Sequence, residues 1–164
     1  MRPGAGKNKG SGFERAVGVK LSLWLSHGER KDLLCRTVLS GGQYTFSSSG
    51  NPGDLMAQHP LAFDLMNKVV IEAKFWKDLK FLQFLSGKGD LFKAMMKVQR
   101  EAVSVDKKWW LVVRQNHQSD LLLTEKINWD YEGKYHKLFA EKVVMYYFDE
   151  FLKIVNPKSY QLSI

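Results

Sequence analysis

Apolar residues near the start of the chain recur at the spacing of a helix. They form one stripe along the helix axis, made of Phe13, Val17, Leu21 and Trp24. Ser11 precedes this stripe and Glu14 follows three residues later, which is the arrangement of a capping box at a helix N-terminus. We therefore predict a helix that begins at Gly12 and ends at the Ser-His-Gly sequence of residues 26–28.

Shorter apolar runs predict strands in the rest of the chain. They occupy residues 32–39, 54–57, 69–73, 109–114 and 120–123. A second helix is predicted over 89–104, where apolar positions again recur at helical spacing. The last quarter of the chain allows either a strand over 142–148 with a short helix through Val155, which we favour, or one long helix over 134–155. The order of these elements predicts a mixed α/β fold.

Length and composition favour one domain with a polyanionic partner. The 164 residues, 45% of them apolar, suffice for a single core, which we assign to residues 12–164. Residues 1–11 are rich in Gly, Lys and Arg and predict a flexible basic arm, whose Lys7 and Lys9 could lie along phosphates. The net charge of +8 favours nucleic acid or an acidic membrane surface. No apolar run approaches the ~18 residues of a membrane span, so we expect a soluble, cytoplasmic protein without a membrane partner.

Other classes of site lack their sequence signatures. Cys35 is the single cysteine, so an internal disulfide is excluded. The four histidines are scattered and do not have the spacing of zinc ligands. The glycine-rich sequence at residues 4–7 lacks the preceding strand of a nucleotide-binding P-loop. We therefore expect neither a zinc site nor a nucleotide cofactor.

The strongest candidate for chemistry is the Glu-Ala-Lys triplet at residues 72–74. The triplet has little weight by itself, because other Glu-x-Lys and Asp-x-Lys triplets occur elsewhere in the chain. Its context differs from theirs, since it ends the apolar run 69–71 of a predicted buried strand. Residues two apart in a strand share a face, so Glu72 and Lys74 should point the same way. A charged pair at a buried strand needs further partners.

Asp54 supplies a second carboxylate. It follows a loop rich in Gly and Ser and begins the extended segment 54–57. If that segment pairs with the strand at 69–73, Asp54 and Glu72 meet at one sheet edge, where their oxygens suit Mg²⁺, with Mn²⁺ as a substitute. A bound metal would activate a water and polarise a phosphodiester, and Lys74 would orient that water or offset negative charge. A salt bridge at a strand end is the alternative interpretation of these residues.

The order of these residues resembles the PD-(D/E)xK nuclease superfamily. Its landmarks are Glu14 in a first helix, then Asp54, then Glu72 and Lys74 at the end of a strand. The resemblance implies a restriction-endonuclease-like α/β fold, a mixed sheet flanked by helices. It implies that Asp54 and Glu72 bind the metal, that Glu14 is a further ligand or holds a water, and that Lys74 is the catalytic lysine.

Within the superfamily, the chain is most similar to archaeal-type Holliday junction resolvases and related phage-encoded nucleases. Those proteins similarly open with a basic arm and a helix start in which Glu-Arg closely follows a Gly, here Gly12-Phe13-Glu14-Arg15, followed by an Arg and a Ser-Gly-Gly, here Arg36 and residues 40–42. The likeness covers residues 7–75. It departs from the family at the Pro-Asp dipeptide, which is Gly53-Asp54 here, and in its second half, which has no resolvase landmark.

The resolvase resemblance implies contacts and an assembly as well as a site. Arg36 and Ser40 would contact the active site or the DNA backbone, and the protein would act as a homodimer on branched or otherwise structured DNA. Among the lysines after the triplet, Lys77 is a further DNA-binding candidate, because basic residues alternate there with aromatic ones. Gln99 and Arg100 lie on the following helix, from which a side chain could approach the metal site.

Two other functions remain open on the sequence. The chain could be a non-catalytic nucleic-acid-binding module whose carboxylates form structural pairs. It could equally act on RNA, since the metal chemistry at a phosphodiester is the same.

Overall fold

The computed structural model describes residues 5–37, 52–125, 131–139 and 142–158. The helices in these ranges are α1 (Ala5–Leu25), α2 (Phe63–Lys68), α3 (Phe81–Leu85), α4 (Gly89–Ser104) and α5 (Phe148–Ile154). The strands are β1 (Leu34–Arg36), β2 (Leu55–Ala57), β3 (Val69–Trp76), β4 (Lys108–Gln115), β5 (Leu121–Glu125), β6 (Tyr135–Leu138) and β7 (Val143–Tyr147). No helix among the described residues combines the length and the apolar character that crossing a membrane requires.

A five-stranded mixed sheet forms the centre of the fold, in the order β3-β4-β5-β7-β6. Strands β3 and β4 are parallel, joined by the crossover through α4, and the remaining pairs are antiparallel. Strand β3 therefore lies at an edge of this sheet. Strands β1 and β2 form a separate antiparallel pair, which reaches β3 through the backbone N–H of Asp54 and the carbonyl of Ile71, 2.9 Å apart.

Apolar layers cover both faces of the sheet. On one face, Ile71 and Ala73 of β3 pack in a core shared with Val17 and Leu21 of α1. On the other face, Val70 belongs to a core that α4 covers with Leu91, Met95, Val98 and Ala102. Successive strand residues alternate between the two faces, so Glu72 and Lys74 lie on the same face as Val70, beneath α4.

The predicted fold class is confirmed: the protein has a mixed α/β architecture with a restriction-endonuclease-like sheet flanked by helices. The predicted helix over 89–104 coincides with α4. In the last quarter, β7 followed by α5 confirms the strand interpretation, and the single helix over 134–155 is wrong. Strand β6 and the short helices α2 and α3 were not predicted, because their sequences have no extended periodicity.

The predicted start of the first helix is wrong. Helix α1 begins at Ala5, so residues 5–11, assigned to the flexible arm, are helical, and Ser11 lies inside the helix and cannot cap it. Gly10 and Gly12 both lie inside the helix, where a glycine costs only about 1 kcal/mol relative to alanine. Residues 5–11 extend the helix from the apolar stripe that begins at Phe13, and that stripe packs in the core shared with β3.

Candidate active site

Strand β3 positions Glu72 and Lys74 next to each other on one face of the sheet. The Nζ of Lys74 lies 2.6 Å from Oε1 of Glu72. Glu72 is only 2% exposed, whereas Lys74 is half-buried. The neighbouring positions on β4 are the apolar Leu111 and Val113, which cannot hydrogen bond to the carboxylate. Glu72 therefore depends on cations for its counter-charge, as the sequence predicted for a charged pair on a buried strand.

Asp54 reaches the same place from the β1–β2 pair. From sequence we considered a pairing of segment 54–57 with the strand at 69–73. Instead, residues 55–57 form β2, which pairs with β1. Asp54 joins the two sheets: its N–H donates to the Ile71 carbonyl and its Oδ2 accepts the N–H of Ala73, each at 2.9 Å. The two bonds fix the carboxylate beside the free edge of β3.

Gly53 makes this close approach possible. Its φ of +105° favours glycine, and a Cβ at this position would lie 2.7 Å from the carbonyl oxygen of Ile71. Any side chain at residue 53 would therefore push Asp54 away from β3. The departure from the Pro-Asp dipeptide of the superfamily has a local structural reason, because this backbone conformation is closed to proline.

Lys74 joins the two carboxylates. Its Nζ is 3.2 Å from Oδ2 of Asp54 and 2.6 Å from Oε1 of Glu72. Two acidic oxygens from different sheets thus come within a few ångströms of one point. This is the juxtaposition that a shared metal ion requires.

Burial and neighbouring negative charge raise the pKa of the Asp54 carboxylate. Burial, the neighbouring Glu72 and the charge of Glu14 raise the pKa of Asp54 to about 6, although Lys74 and the Ala73 N–H act in the opposite direction. Burial by itself would lower the pKa of Lys74, but Glu72 and Asp54 outweigh it and the pKa is raised. Lys74 therefore remains an ammonium at neutral pH, and the site concentrates negative charge that burial makes costly.

Glu14 lies on α1, near the other two acids but with its own partner. It is buried, and Nε of Arg36 on β1 donates a hydrogen bond to its Oε2. Within the described ranges, no group of three His, Cys, Asp or Glu side chains is arranged to hold a metal ion. The structure thus brings Asp54 and Glu72 together on Lys74, while it pairs Glu14 with Arg36. The ligand role of Glu14 and the DNA contact of Arg36 remain predictions.

Helix α4 adds a lysine that the sequence did not single out. Nζ of Lys97 lies 3.2 Å from Oε1 of Glu72 and 3.4 Å from Oε1 of Glu101. The two residues suggested from sequence are elsewhere: Nε of Arg100 donates to the Met96 carbonyl at the surface, and Gln99 lines a separate cleft of about 640 Å³. From sequence alone, Lys97 and Glu101 resemble an ordinary solvated pair four residues apart.

The remaining DNA-binding candidates fall into two groups. Ser40 lies outside the described residues, and so does the side chain of Lys7, whose backbone belongs to α1. Lys9 is exposed, with its Nζ 5.9 Å from the centre of the Phe75 ring, and Lys77 is exposed directly after β3. Lys9 and Lys77 therefore present positive charge near the end of the strand that carries Glu72 and Lys74.

The donor set is suited to a hard divalent cation. Mg²⁺ is usually held in proteins by one or two carboxylates, and it keeps several waters. Asp54 and Glu72 offer two carboxylates at one sheet edge, and both depend on positive charge for their burial. The residues present therefore fit such an ion.

Comparison with known protein families assigns the chain to one of them. A protein family described as "Phage putative PDDEXK endonuclease" matches residues 5–160. The chain belongs to this family. Neither the curated proteins nor the solved structures contain a match. Membership in the PDDEXK endonuclease family confirms the predicted superfamily and supports the prediction of a nuclease, while the likeness to Holliday junction resolvases remains a prediction.

Proposed function

We propose that this PDDEXK family member is a Mg²⁺-dependent endonuclease that hydrolyses phosphodiester bonds in branched or otherwise structured DNA. The observation that carries the proposal is the meeting of Oδ2 of Asp54 and Oε1 of Glu72 at Nζ of Lys74, 3.2 and 2.6 Å away. The acid-acid-lysine combination gives a site that can hold a cation and contribute a fixed ammonium to a phosphodiester.

Asp54 and Glu72 would hold the metal, each by a carboxylate oxygen. When bound, Mg²⁺ supplies Lewis acidity to the phosphate and lowers the pKa of a coordinated water. The chain's own contribution is position, because Asp54 is fixed by two bonds to β3 and Glu72 by its place on a buried strand. The apolar surroundings strengthen each electrostatic interaction relative to bulk water.

Lys74 is the residue that would act on the reacting atoms. In hydrolysis a water oxygen forms a bond to phosphorus, the bond from phosphorus to one bridging oxygen breaks, and that oxygen leaves with a proton. The Lys74 ammonium orients the attacking water or offsets the negative charge that grows on the phosphate. The raised pKa of Lys74, which Glu72 and Asp54 produce despite its burial, suits a charge-stabilising role and disfavours a role as general base.

Charge and resemblance support a DNA substrate. The net charge of +8 favours a polyanion, and exposed Lys9 and Lys77 lie toward one end of β3. The similarity of residues 7–75 to junction resolvases supports a branched substrate and a homodimer, since a two-fold dimer supplies two sites for paired cuts.

The test is cleavage of a substrate panel by purified protein with Mg²⁺. The panel contains a four-way junction, a fork, duplex DNA, single-stranded DNA and a matched RNA. We expect cleavage of branched DNA that EDTA abolishes and that Asp54→Ala reduces by on the order of 100-fold or more, the size of effect typical of a lost transition-state contact. Lys93→Met, at an exposed position on α4, serves as the control and should cleave normally.

Three outcomes would overturn the proposal in different ways. Salt-sensitive binding without cleavage of any substrate would favour the non-catalytic binding module. Cleavage of RNA alone would change the substrate class. Equal cleavage by wild type and Asp54→Ala would remove the site from the mechanism.

A further inference from the structure

Two lysines contact the same buried oxygen of Glu72. Lys74 approaches Oε1 from β3 at 2.6 Å and Lys97 approaches it from α4 at 3.2 Å. Glu72 is 2% exposed, so neither contact is an incidental pairing at the surface. Two ammonium groups therefore share one carboxylate oxygen on a buried strand.

Each of these lysines also has a second carboxylate partner. Lys74 reaches Asp54 at 3.2 Å, and Lys97 reaches Glu101 at 3.4 Å. The other oxygen of Glu101, Oε2, is buried and has no hydrogen-bond partner among the described residues. Glu101 therefore has unused capacity to accept hydrogen bonds, directly beside Lys97.

Asp54, the second partner of Lys74, and Glu101, the second partner of Lys97, are not equivalent. Asp54 is the other carboxylate that would hold the metal, so Lys74 can leave Glu72 only for a group that the metal also uses. Glu101 stands outside that pair. A divalent cation on Oε1 of Glu72 would repel both ammonium groups at close range, and Lys97 is the one that has a separate anion to receive it.

We propose that Lys97 is a positioning residue that serves as an internal counter-ion: it holds Glu72 in the metal-free protein and withdraws to Glu101 when a divalent cation binds. The inference rests on the proposed metal-dependent function. It assigns α4 a role in setting metal affinity, because the metal must compete with Lys97 for Glu72. It also gives the buried, unpartnered oxygen of Glu101 a function as the second acceptor.

Substitutions of Lys97 and of Glu101 should change the affinity for Mn²⁺ in opposite directions. Lys97→Met removes the competitor, so Mn²⁺ should bind more tightly than to wild type. Glu101→Gln removes the alternative anion, so Lys97 should stay on Glu72 and Mn²⁺ should bind more weakly. Because Lys97 is about half exposed, each change should be modest, roughly two- to fivefold in dissociation constant.

The experiment is a calorimetric titration of Mn²⁺ alone into wild type, Lys97→Met, Lys97→Arg, Glu101→Gln and the control Lys93→Met. The arginine variant keeps the charge and should remain near wild type, as should Lys93→Met, which changes an exposed lysine one turn earlier on the same helix. The Mg²⁺ concentration that gives half-maximal cleavage should move in the same direction as the dissociation constant. Glu101→Gln provides an independent test if Lys97→Met fails to fold.

The outcomes separate this inference from the function on which it rests. If wild type does not bind Mn²⁺, the metal-dependent function itself fails. If wild type binds but Lys97→Met and Glu101→Gln bind with unchanged affinity, or both shift in the same direction, the counter-ion role of Lys97 is wrong and the nuclease proposal stands.

Discussion

Replacing Lys74 by methionine should make the stability of the protein depend on both pH and metal. The substitution keeps most of the side-chain volume of Lys74 but removes the cation that lies 3.2 Å from Asp54 and 2.6 Å from Glu72. Two buried carboxylates would then repel each other, with Lys97 as the one remaining cation on Glu72 among the described residues. The loss should appear in the free energy of unfolding measured without metal.

The magnitude follows from the burial of the three groups. Breaking a fully buried ion pair costs about 3–5 kcal/mol, and an exposed pair contributes about 0–1 kcal/mol. The Lys74 side chain is 33% exposed while both carboxylates are under 10% exposed, which places the expected loss between these limits, at ~1–3 kcal/mol. This loss should be greatest when both carboxylates are ionised.

The sign of the pH dependence comes from Asp54. Burial, Glu72 and Glu14 raise the pKa of Asp54 to about 6, against an unfolded value near 3.8, so the folded state binds more protons between these values and stability falls as pH rises through this window. Removing Lys74 should raise the pKa of Asp54 further. The methionine variant should therefore lose most stability at pH 8 and recover much of it at pH 5, where Asp54 is protonated.

Urea unfolding at pH 5 and pH 8, with EDTA or with Mg²⁺, measures these effects. Mg²⁺ should stabilise the variant at pH 8, by about 2.7 kcal/mol once its concentration is a hundredfold above the dissociation constant. Lys77→Met, at an exposed position after β3, is the matched control and should change stability little. An equal loss at both pH values, or no loss at pH 8, would refute the assigned electrostatics.

Three further predictions concern the same site. Cleavage should decline as pH falls below about 6, because Asp54 takes up a proton and no longer offers an anionic oxygen; a rate that stays constant from pH 8 to pH 5 would contradict this. Gly53→Ala should destabilise the protein by ~1–3 kcal/mol more than Gly28→Ala in urea unfolding. Both glycines have a positive φ, but a Cβ at position 53 would also collide with the backbone of β3, whereas one at position 28 meets open space. Arg36→Gln should move the acid limb of the pH–rate profile to higher pH, because Glu14 loses the cation that offsets its charge, and that charge raises the pKa of Asp54. Adding Glu14→Gln should reverse the shift, and coincident profiles would exclude this coupling.

The residues of β3 could be predicted from sequence because their pattern is local. An apolar run that ends in Glu72 and Lys74 predicts a buried strand with both charges on one face, and the structure has that arrangement. Asp54 was recognisable from its order in the chain, but its pairing was not. The close approach of Gly53 to Ile71 depends on two sheets meeting, which no local pattern specifies.

The roles of Lys97 and Glu101 could not be predicted, because they depend on contacts between residues distant in the sequence. Their spacing is that of a solvated pair on a helix surface, and only the crossover from β3 through α4 to β4 brings them over Glu72. The start of α1 was also missed, because glycine and lysine suggest disorder when packing is unknown. For Lys97 and Glu101, tertiary contacts outweigh the local preference.

Single-turnover cleavage of a labelled four-way junction by wild type, Asp54→Asn and Glu72→Gln, in Mg²⁺ and in EDTA, tests the central claim most directly. The account predicts cleavage by wild type in Mg²⁺ alone, and a rate at least on the order of 100-fold lower for each variant, with unchanged binding of the junction in a gel-shift assay. Cleavage by either variant at the wild-type rate, or by wild type in EDTA, would contradict it.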